Sequence, residues 1–186
     1  MKKILSLLST ITLIGTSTTS LVACNKQYSE DELKEQKEKH KINTTNQEIR
    51  NNLEWIAPQE KPFNKTDNKW YYVVWCGDKN DNWHLTKFLK NNKDKNDIID
   101  KYSISPIISY FLIYSAISTI GFLPSYTLEI VRNLGKNSDN EYNEKHISIW
   151  KNKDNNYFKS VYRWNLDTQE PDLIVDNKGN VKVKGE

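Results

Sequence analysis

The sequence predicts an α+β fold in which β-hairpins pack around a central buried apolar helical segment, preceded by a charged helical tether. Two observations favour this class. Aromatic and β-branched runs separated by Asn-rich and Gly-containing turns occur before and after the middle of the chain, as strands and hairpins do. Between them lies the uncharged stretch 102–128, whose length suits one or two helices that are covered on all sides.

The start of the chain has the layout of a secretory signal peptide. It opens with the positive stretch MKK, and residues 4–14 are an apolar run that is too short to span a bilayer. Leu21, Val22 and Ala23 stand directly before Cys24.

This L-V-A-C pattern resembles the lipobox of bacterial lipoproteins. The resemblance implies that residues 1–23 are a signal peptide, that Leu21, Val22 and Ala23 are recognised by the signal peptidase, and that Cys24 receives a diacylglyceryl group. Two acyl chains give stable membrane anchoring, so the implied location is the outer face of the cell membrane. The alternative is an uncleaved N-terminal anchor with an incidental cysteine.

The amino-acid composition narrows the functional class of the protein further. The formal net charge is +3, and loss of Lys2 and Lys3 with the signal peptide lowers it by two, which disfavours a dedicated nucleic-acid binder. Asn and Lys are abundant, whereas arginine is scarce. With the lipobox, this makes the chain similar to mollicute-type lipoproteins of spiroplasmas and mycoplasmas. The body, with KWYYVVWCGDKNDNW, resembles uncharacterised spiroplasma lipoproteins, a likeness that implies no activity.

Residues 24–57 are predicted to be a lipid-anchored, charged tether. Ser29 and Glu32 have the spacing of a capping box, and acidic residues followed by lysines suit a helix over 29–40. This helix has almost no apolar face, so we expect it to be solvated and 41–48 to be loose. Only the last part of the segment is apolar enough to dock on the domain. The predicted role is to hold the domain away from the lipid headgroups.

Residues 58–186 are predicted to form a single domain. The run KWYYVVW, the turn CGDKNDN and the alternating WHLTKFL predict a β-hairpin over 69–89. Further strands are expected at YTLEIVRNL, HISIWK and YFKSVYRWNL. The final LIVDNKGNVKV predicts a second hairpin in which Gly179 supplies the positive φ of the turn.

The uncharged stretch leaves a second interpretation open. About 20 apolar residues can cross a bilayer, so 104–123 is a candidate transmembrane span. Recurring Ser and Thr, the two prolines Pro106 and Pro124, and a lysine-rich preceding segment that would lie outside the cell all count against it. We therefore favour a buried core segment.

The sequence contains no convincing catalytic or metal-binding pattern. G-x-S-x-G, P-loop and G-x-G-x-x-G motifs do not occur. Cys76 and His84 could meet across the first hairpin, but no oxyanion donor accompanies them, and burial of Cys76 in the strand is the simpler interpretation. DKNDNW imitates a calcium loop without its glycine and glutamate. We expect no enzymatic activity, no metal and no cofactor.

Aromatic residues are the one excess in the composition, with six Trp and ten Tyr. Both faces of WYYVVW are apolar, so aromatic side chains remain exposed unless other elements cover both faces of this strand. Exposed Trp and Tyr are typical of recognition surfaces. The candidate binding surface consists of Trp70, Tyr72, Trp75, Trp83, Trp150, Tyr162 and Trp164.

Together these observations predict a membrane-anchored surface lipoprotein that acts as a non-enzymatic binding module. The expected partners are the plasma membrane, through the lipid anchor, and a host or cell-surface protein or glycan, but not a nucleic acid. One alternative is a membrane-integral accessory protein that uses 104–123 as a span. Another is a small solute-binding lipoprotein, which would need a concave pocket with converging polar groups.

Overall fold

A computed structural model gives the conformation of most of the chain. The described residues are 27–91, 97–117, 124–136, 142–151 and 156–186. The predicted signal peptide, the lipobox residues Leu21, Val22 and Ala23, and Cys24 lie outside the described residues.

Antiparallel β-strands are the main secondary structure of the described chain. The helices are α1 (Glu30–Lys39) and α2 (Gln47–Asn52), and two 3-10 turns lie at Pro58–Glu60 and Pro62–Asn64. The strands are β1 (Leu53–Trp55), β2 (Trp70–Trp75), β3 (His84–Leu89), β4 (Ile98–Ser103), β5 (Ser109–Ile117), β6 (Ser125–Lys136), β7 (Tyr142–Ile149), β8 (Phe158–Trp164), β9 (Leu173–Val175) and β10 (Val181–Val183). Sheet A has the strand order β1-β8-β2-β3, sheet B has the order β4-β5-β6-β7, and β9 and β10 form a C-terminal hairpin.

The predicted α+β class with a central buried helical segment is wrong. Where the uncharged stretch is described, its main element is strand β5, which pairs with β4 on one side and β6 on the other. Its β-branched and aromatic residues favour a strand, and a strand covered on both faces is as uniformly apolar as a buried helix. Of the helices in the described part of the chain, none is both long and apolar enough to cross a membrane.

Other predicted elements are confirmed. β2 and β3 pair as an antiparallel hairpin, from Trp70 opposite Leu89 to Trp75 opposite His84. The Ser29 capping box forms both of its hydrogen bonds at the start of α1. The C-terminal hairpin turns at Gly179, whose φ is 81°. These elements depend on residues close together in sequence, where turn and capping chemistry decide the structure.

The first core lies between sheet A and sheet B, which pack face to face. Phe63, from the second 3-10 turn, closes this core, with its ring 5.2 Å from that of Tyr71 and 5.6 Å from that of Trp150. Alternate residues of β2, β5 and β6 point into this core. They are Tyr71, Val73, Trp75, Tyr110, Leu112, Tyr114, Leu128 and Ile130.

The second core covers the opposite face of sheet A. Tyr72 and Val74 of β2, together with Tyr162 and Trp164 of β8, point away from sheet B into this core. The chain covers them with its two ends. The N-terminal segment contributes Ile42, Ile49 and Leu53, and the C-terminal hairpin contributes Leu173 and Val181.

The N-terminal segment is therefore part of the folded body in the described range: its last part docks on the domain, as expected, and the stretch 41–48, expected to be loose, has buried residues as well. The Tyr28 backbone N–H donates to Gln59 Oε1 at 2.7 Å, and Gln59 Nε2 donates back to the Tyr28 carbonyl at 2.9 Å. The His40 ring stacks on Trp55 with centroids 4.3 Å apart. β1 adds the final strand at one edge of sheet A. The few apolar residues of this segment suffice because Ile42, Ile49 and Leu53 are buried in the second core and Ile56 is buried in the first.

Glu54 of β1 joins the N-terminal segment to sheet A. Its carboxylate accepts hydrogen bonds from Lys37 Nζ, from Arg163 Nη2 at 2.8 Å and from Asn165 Nδ2 at 3.0 Å. Burial by itself would raise the pKa of Glu54, but the hydrogen bonds from Lys37 and Asn165 and the charges of Lys37 and Arg163 lower it. The carboxylate is therefore stabilised in its ionised form.

This pKa direction predicts a pH-dependent contribution to stability. A carboxyl group whose pKa is lower in the folded state stabilises the fold above its unfolded pKa of about 4.3 and loses this contribution as the pH falls through the folded value. We expect Glu54→Gln to lower the free energy of unfolding by about 1–3 kcal/mol at pH 7 and by much less at pH 3. Urea denaturation followed by circular dichroism measures both differences.

Glu48→Gln is the matched control, because Glu48 is an exposed carboxylate on α2. We expect its effect to stay below about 0.5 kcal/mol at both pH values. A Glu54→Gln difference that is the same at pH 3 and pH 7 would show that the charge of Glu54 does not hold the N-terminal segment.

Candidate functional site

The structure does not assemble the predicted aromatic residues into an exposed surface. Tyr72, Trp75, Trp150, Tyr162 and Trp164 are all buried, with at most 7% of each residue exposed. Trp70 and Trp83 are half-buried and pack against the second core. The expectation of an exposed aromatic patch is corrected accordingly, because both faces of sheet A are covered and the aromatic side chains fill the two cores.

Cys76 does not have the surroundings of a catalytic thiol. The residue is 1% exposed, and its Sγ donates to the Asn156 carbonyl at 3.4 Å. Burial, reinforced by the charges of Asp81 and Asp78, raises the pKa of the thiol to about 11. Only about one thiol in ten thousand would be ionised at pH 7, and the thiolate is the reactive form.

His84, the other half of the predicted pair, faces different neighbours. Its Nε2 lies 4.0 Å from Asp81 Oδ2, and its ring lies 4.1 Å from the ring of Tyr102. Over the described ranges, no three His, Cys, Asp or Glu side chains are grouped so that they could hold a metal ion.

A groove of about 1020 Å³ opens over β8, on the side of sheet A away from sheet B. One wall is the segment from Lys39 to Arg50, which links α1 to α2 and continues into α2. The other wall is the C-terminal hairpin from Asp176 onward, including Glu186. We call this feature the β8 groove. Ser160 and Tyr162 lie at its base.

Contacts with β8 and β1 fix the N-terminal wall of the groove. The Tyr162 hydroxyl donates to the His40 carbonyl at 3.0 Å. The His40 Nδ1 lies 2.8 Å from the Gln36 carbonyl, so this nitrogen carries a proton and donates. Ile42 is buried in the second core. This wall is thus held to β8, to α1 and in the second core.

The opposite wall is held by the turn of the C-terminal hairpin. Asp176 Oδ1 accepts from the backbone N–H groups of Lys178 and Asn180, each at 2.9 Å. Together with the Asn180 side chain, these hydrogen bonds lower the pKa of Asp176 to about 2. A Cβ added at Gly179 would lie 3.0 Å from Lys159 Cγ, so the turn packs tightly against β8.

Positive charge predominates in the groove lining. Lys39, Lys41 and Lys182 are paired with carboxylates: Lys39 with Glu35 at 2.6 Å, Lys41 with Glu38 at 2.8 Å and Lys182 with Asp176 at 3.4 Å. The two further basic residues of the lining, Arg50 and Lys159, are exposed, and neither forms an ion pair within the described part of the chain. The acidic residues of the lining are Asp176 and Glu186. The groove therefore favours an anionic ligand.

A carboxylate already occupies one end of the groove. Glu186 Oε1 accepts from the Thr44 hydroxyl at 2.8 Å and from the Thr45 hydroxyl at 3.1 Å. These hydroxyl hydrogen bonds, with the Thr44 bond the larger effect, lower the pKa of Glu186. The groove thus contains a pair of hydroxyl donors that is already able to hold an ionised oxygen group.

Comparison with known protein families, with curated proteins and with solved structures finds no match to this chain. The assignment of the groove therefore depends on the residues and their geometry.

Sequence reasoning missed the residues that form this groove. Thr44 and Thr45 appear in the sequence only as part of NTT, and Lys159 is one lysine among many. Thr44 and Glu186 are 142 residues apart along the chain. No local pattern could have joined them, because their meeting depends on both ends of the chain packing over the same strand.

The buried thiol predicts low reactivity. In a Cys24→Ser chain, Cys76 is the remaining thiol, and we expect it to react with Ellman's reagent at least about 100-fold more slowly in native buffer than in urea, since reaction requires local opening. Absorbance at the wavelength of the released thiolate follows both rates. Equal rates in the two conditions would show that Cys76 is accessible and that a thiol function has to be reconsidered.

Proposed function

We propose that this chain is a lipid-anchored protein of the outer face of the cell membrane, and that its folded body is a non-enzymatic binding module. The observation that carries the binding assignment is the β8 groove. It is concave and contains hydroxyl, amide and cationic side chains that converge on one volume of about 1020 Å³. Ligand sites in proteins have this character, with volumes of roughly 300–1,000 Å³.

The groove chemistry favours binding over catalysis. A general acid or base works best with a pKa near the pH of operation. Both carboxyl groups of the lining have lowered pKa values, because Asp176 is committed to the hairpin turn and Glu186 to the two threonine hydroxyls. Among the described residues of the lining there is no cysteine, and the ring of the histidine, His40, is stacked on Trp55 with its Nδ1 donating to the Gln36 carbonyl. The ligand would be held by hydrogen bonds and charge without being transformed.

The form of the groove favours a solute or the end group of a larger surface molecule. The solute-binding alternative needs a concave pocket with converging polar groups, and the β8 groove meets that requirement. A flat aromatic recognition surface is not supported, because most of the residues proposed for it fill the cores. We therefore place ligand binding in the groove and not on an aromatic face.

The anchor would hold the groove close to the membrane. Tyr28 docks on the body through Gln59, and Cys24 is only four residues before it, a reach of at most about 14 Å. Helix α1, which spans about 15 Å, separates this docking point from the groove residue Lys39. A lipid-anchored chain would thus present its groove within a few tens of ångströms of the headgroups.

Replacing the lipidation residue tests the anchor directly. We expect Cys24→Ser to abolish incorporation of labelled fatty acid and to leave the signal peptide uncut, because the thiol is the group that is acylated. Metabolic labelling and partition into detergent during membrane fractionation measure these changes. Cys76→Ser is the matched control, since it removes the other cysteine and leaves Cys24 in place; it should be labelled like the unaltered chain.

The outcome that would overturn the anchor is equally specific. A Cys24→Ser chain that is still cut and still recovered in the membrane at normal levels would mean that the N-terminus is not a lipoprotein signal.

A further inference from the structure

We propose that the Thr44 and Thr45 hydroxyls bind an oxyanion of the ligand, a carboxylate or phosphate group, and that Glu186 occupies this position until the ligand displaces it. The inference rests on the proposed function, because it assigns a ligand class to the β8 groove. It goes further by naming the donors and the internal competitor.

The two hydroxyls converge on a single acceptor oxygen. Both donate to Glu186 Oε1, at 2.8 Å from Thr44 and 3.1 Å from Thr45. The Thr44 Oγ1 also accepts a hydrogen bond from the Asn46 backbone N–H at 3.1 Å, which directs the hydroxyl proton away from the main chain and toward the groove. Thr44 is 6% exposed, so its hydroxyl is fixed in this orientation.

The charges around the hydroxyl pair favour an anion over a neutral ligand. Arg50 and Lys159 line the same groove and form no ion pair within the described residues, so their charges are available to a ligand. Once Glu186 leaves, Asp176 is the remaining carboxylate of the lining, and it is committed to its own turn. The field of the vacated groove is then strongly positive.

Glu186 is placed to act as a displaceable competitor. The Lys184 N–H donates to the Asp172 carbonyl at 3.0 Å, and beyond it a longer hydrogen bond runs from the Glu186 N–H to the Val183 carbonyl at 3.4 Å. Gly185 has a φ of 95°, and apart from its chain neighbours no atoms lie within 4 Å of the position of a Cβ, so the chain can pivot there. Residues 184–186 are exposed. Movement of Glu186 therefore requires no opening of either core.

An internal competitor lowers the apparent affinity for an external anion by the fraction of molecules in which the site is free. Removing the Glu186 carboxylate should remove this effect. We expect Glu186→Ala to bind inorganic phosphate at least about 10-fold more tightly than the unaltered chain. Adding Thr44→Val and Thr45→Val to Glu186→Ala should cancel the gain, whereas Thr44→Ser and Thr45→Ser, which keep the hydroxyls, should retain it.

The experiment is a titration of the full chain in detergent with inorganic phosphate, followed by amide chemical shifts. Asp31→Ala is the charge-matched control, because Asp31 has a side chain that is 98% exposed and stands at the far end of α1 from the groove. It should change the phosphate affinity less than about twofold. Unchanged amide shifts in sheet B confirm that each variant is folded.

Three results would overturn the inference, and they differ in what they leave standing. Phosphate-dependent shifts at Arg50 and Lys159 with equal affinity in the unaltered and Glu186→Ala chains would reject the hydroxyl site and keep the groove as an anion site. A parallel titration with a neutral sugar distinguishes the other two results. Groove shifts with the sugar alone would reject the oxyanion and keep the groove, whereas no groove shift with either probe would contradict the proposed function as well.

Discussion

Burial of sheet A on both faces is the constraint on which the rest of this structure depends. Sheet B covers one face, and the N-terminal segment and the C-terminal hairpin share the other. Tyr72, Tyr162 and Trp164 lie on the second face, and burying a large apolar side chain contributes roughly 1.5–3 kcal/mol each relative to leaving it exposed. The two chain ends are thus required by the fold, because without them this aromatic face would be open to water.

The groove forms because the N-terminal segment and the C-terminal hairpin each cover part of the same face of sheet A. Each end packs over part of sheet A, and β8 lies beneath the gap between them. The walls bring together Thr44 and Glu186, which are 142 residues apart in sequence. A site of this kind exists only when the fold is complete, since Arg50 comes from the N-terminal segment, Lys159 from β8 and Glu186 from the C-terminal hairpin. Local stability of the second core and ligand binding are therefore linked.

The sequence allowed prediction of the elements whose structure is decided locally. The hairpin from Trp70 to Leu89 and the turn at Gly179 carry their own signals, in strand alternation and in turn chemistry. The stretch around β5 could not be assigned in the same way. A run such as Ser109–Ile117, with apolar residues on both faces, lacks the alternation that marks a half-buried strand, and its composition equally suits a buried helix.

A similar ambiguity applies to the burial of the aromatic residues. Trp75 and Trp164 could have been either core or surface, and the choice depended on whether another element covers each face of sheet A. For Trp75 that element is sheet B, and for Trp164 it is the charged N-terminal segment, in which a few apolar residues, among them Ile42 and Ile49, make the decisive contacts. The groove residues could not be predicted from the sequence for a related reason, because long-range packing brings them together.

Hydrogen exchange of the N-terminal segment tests the central claim most directly. The Ile56 N–H donates to the Val161 carbonyl at 2.9 Å, which ties the end of β1 to β8. If the segment is an integral cover of sheet A, the amides of Ile56 and of β1 exchange nearly as slowly as that of Val73 in β2, and all of them respond together to urea. Exchange of residues 27–57 at the rate of an unstructured chain, while β2 stays protected, would contradict this account.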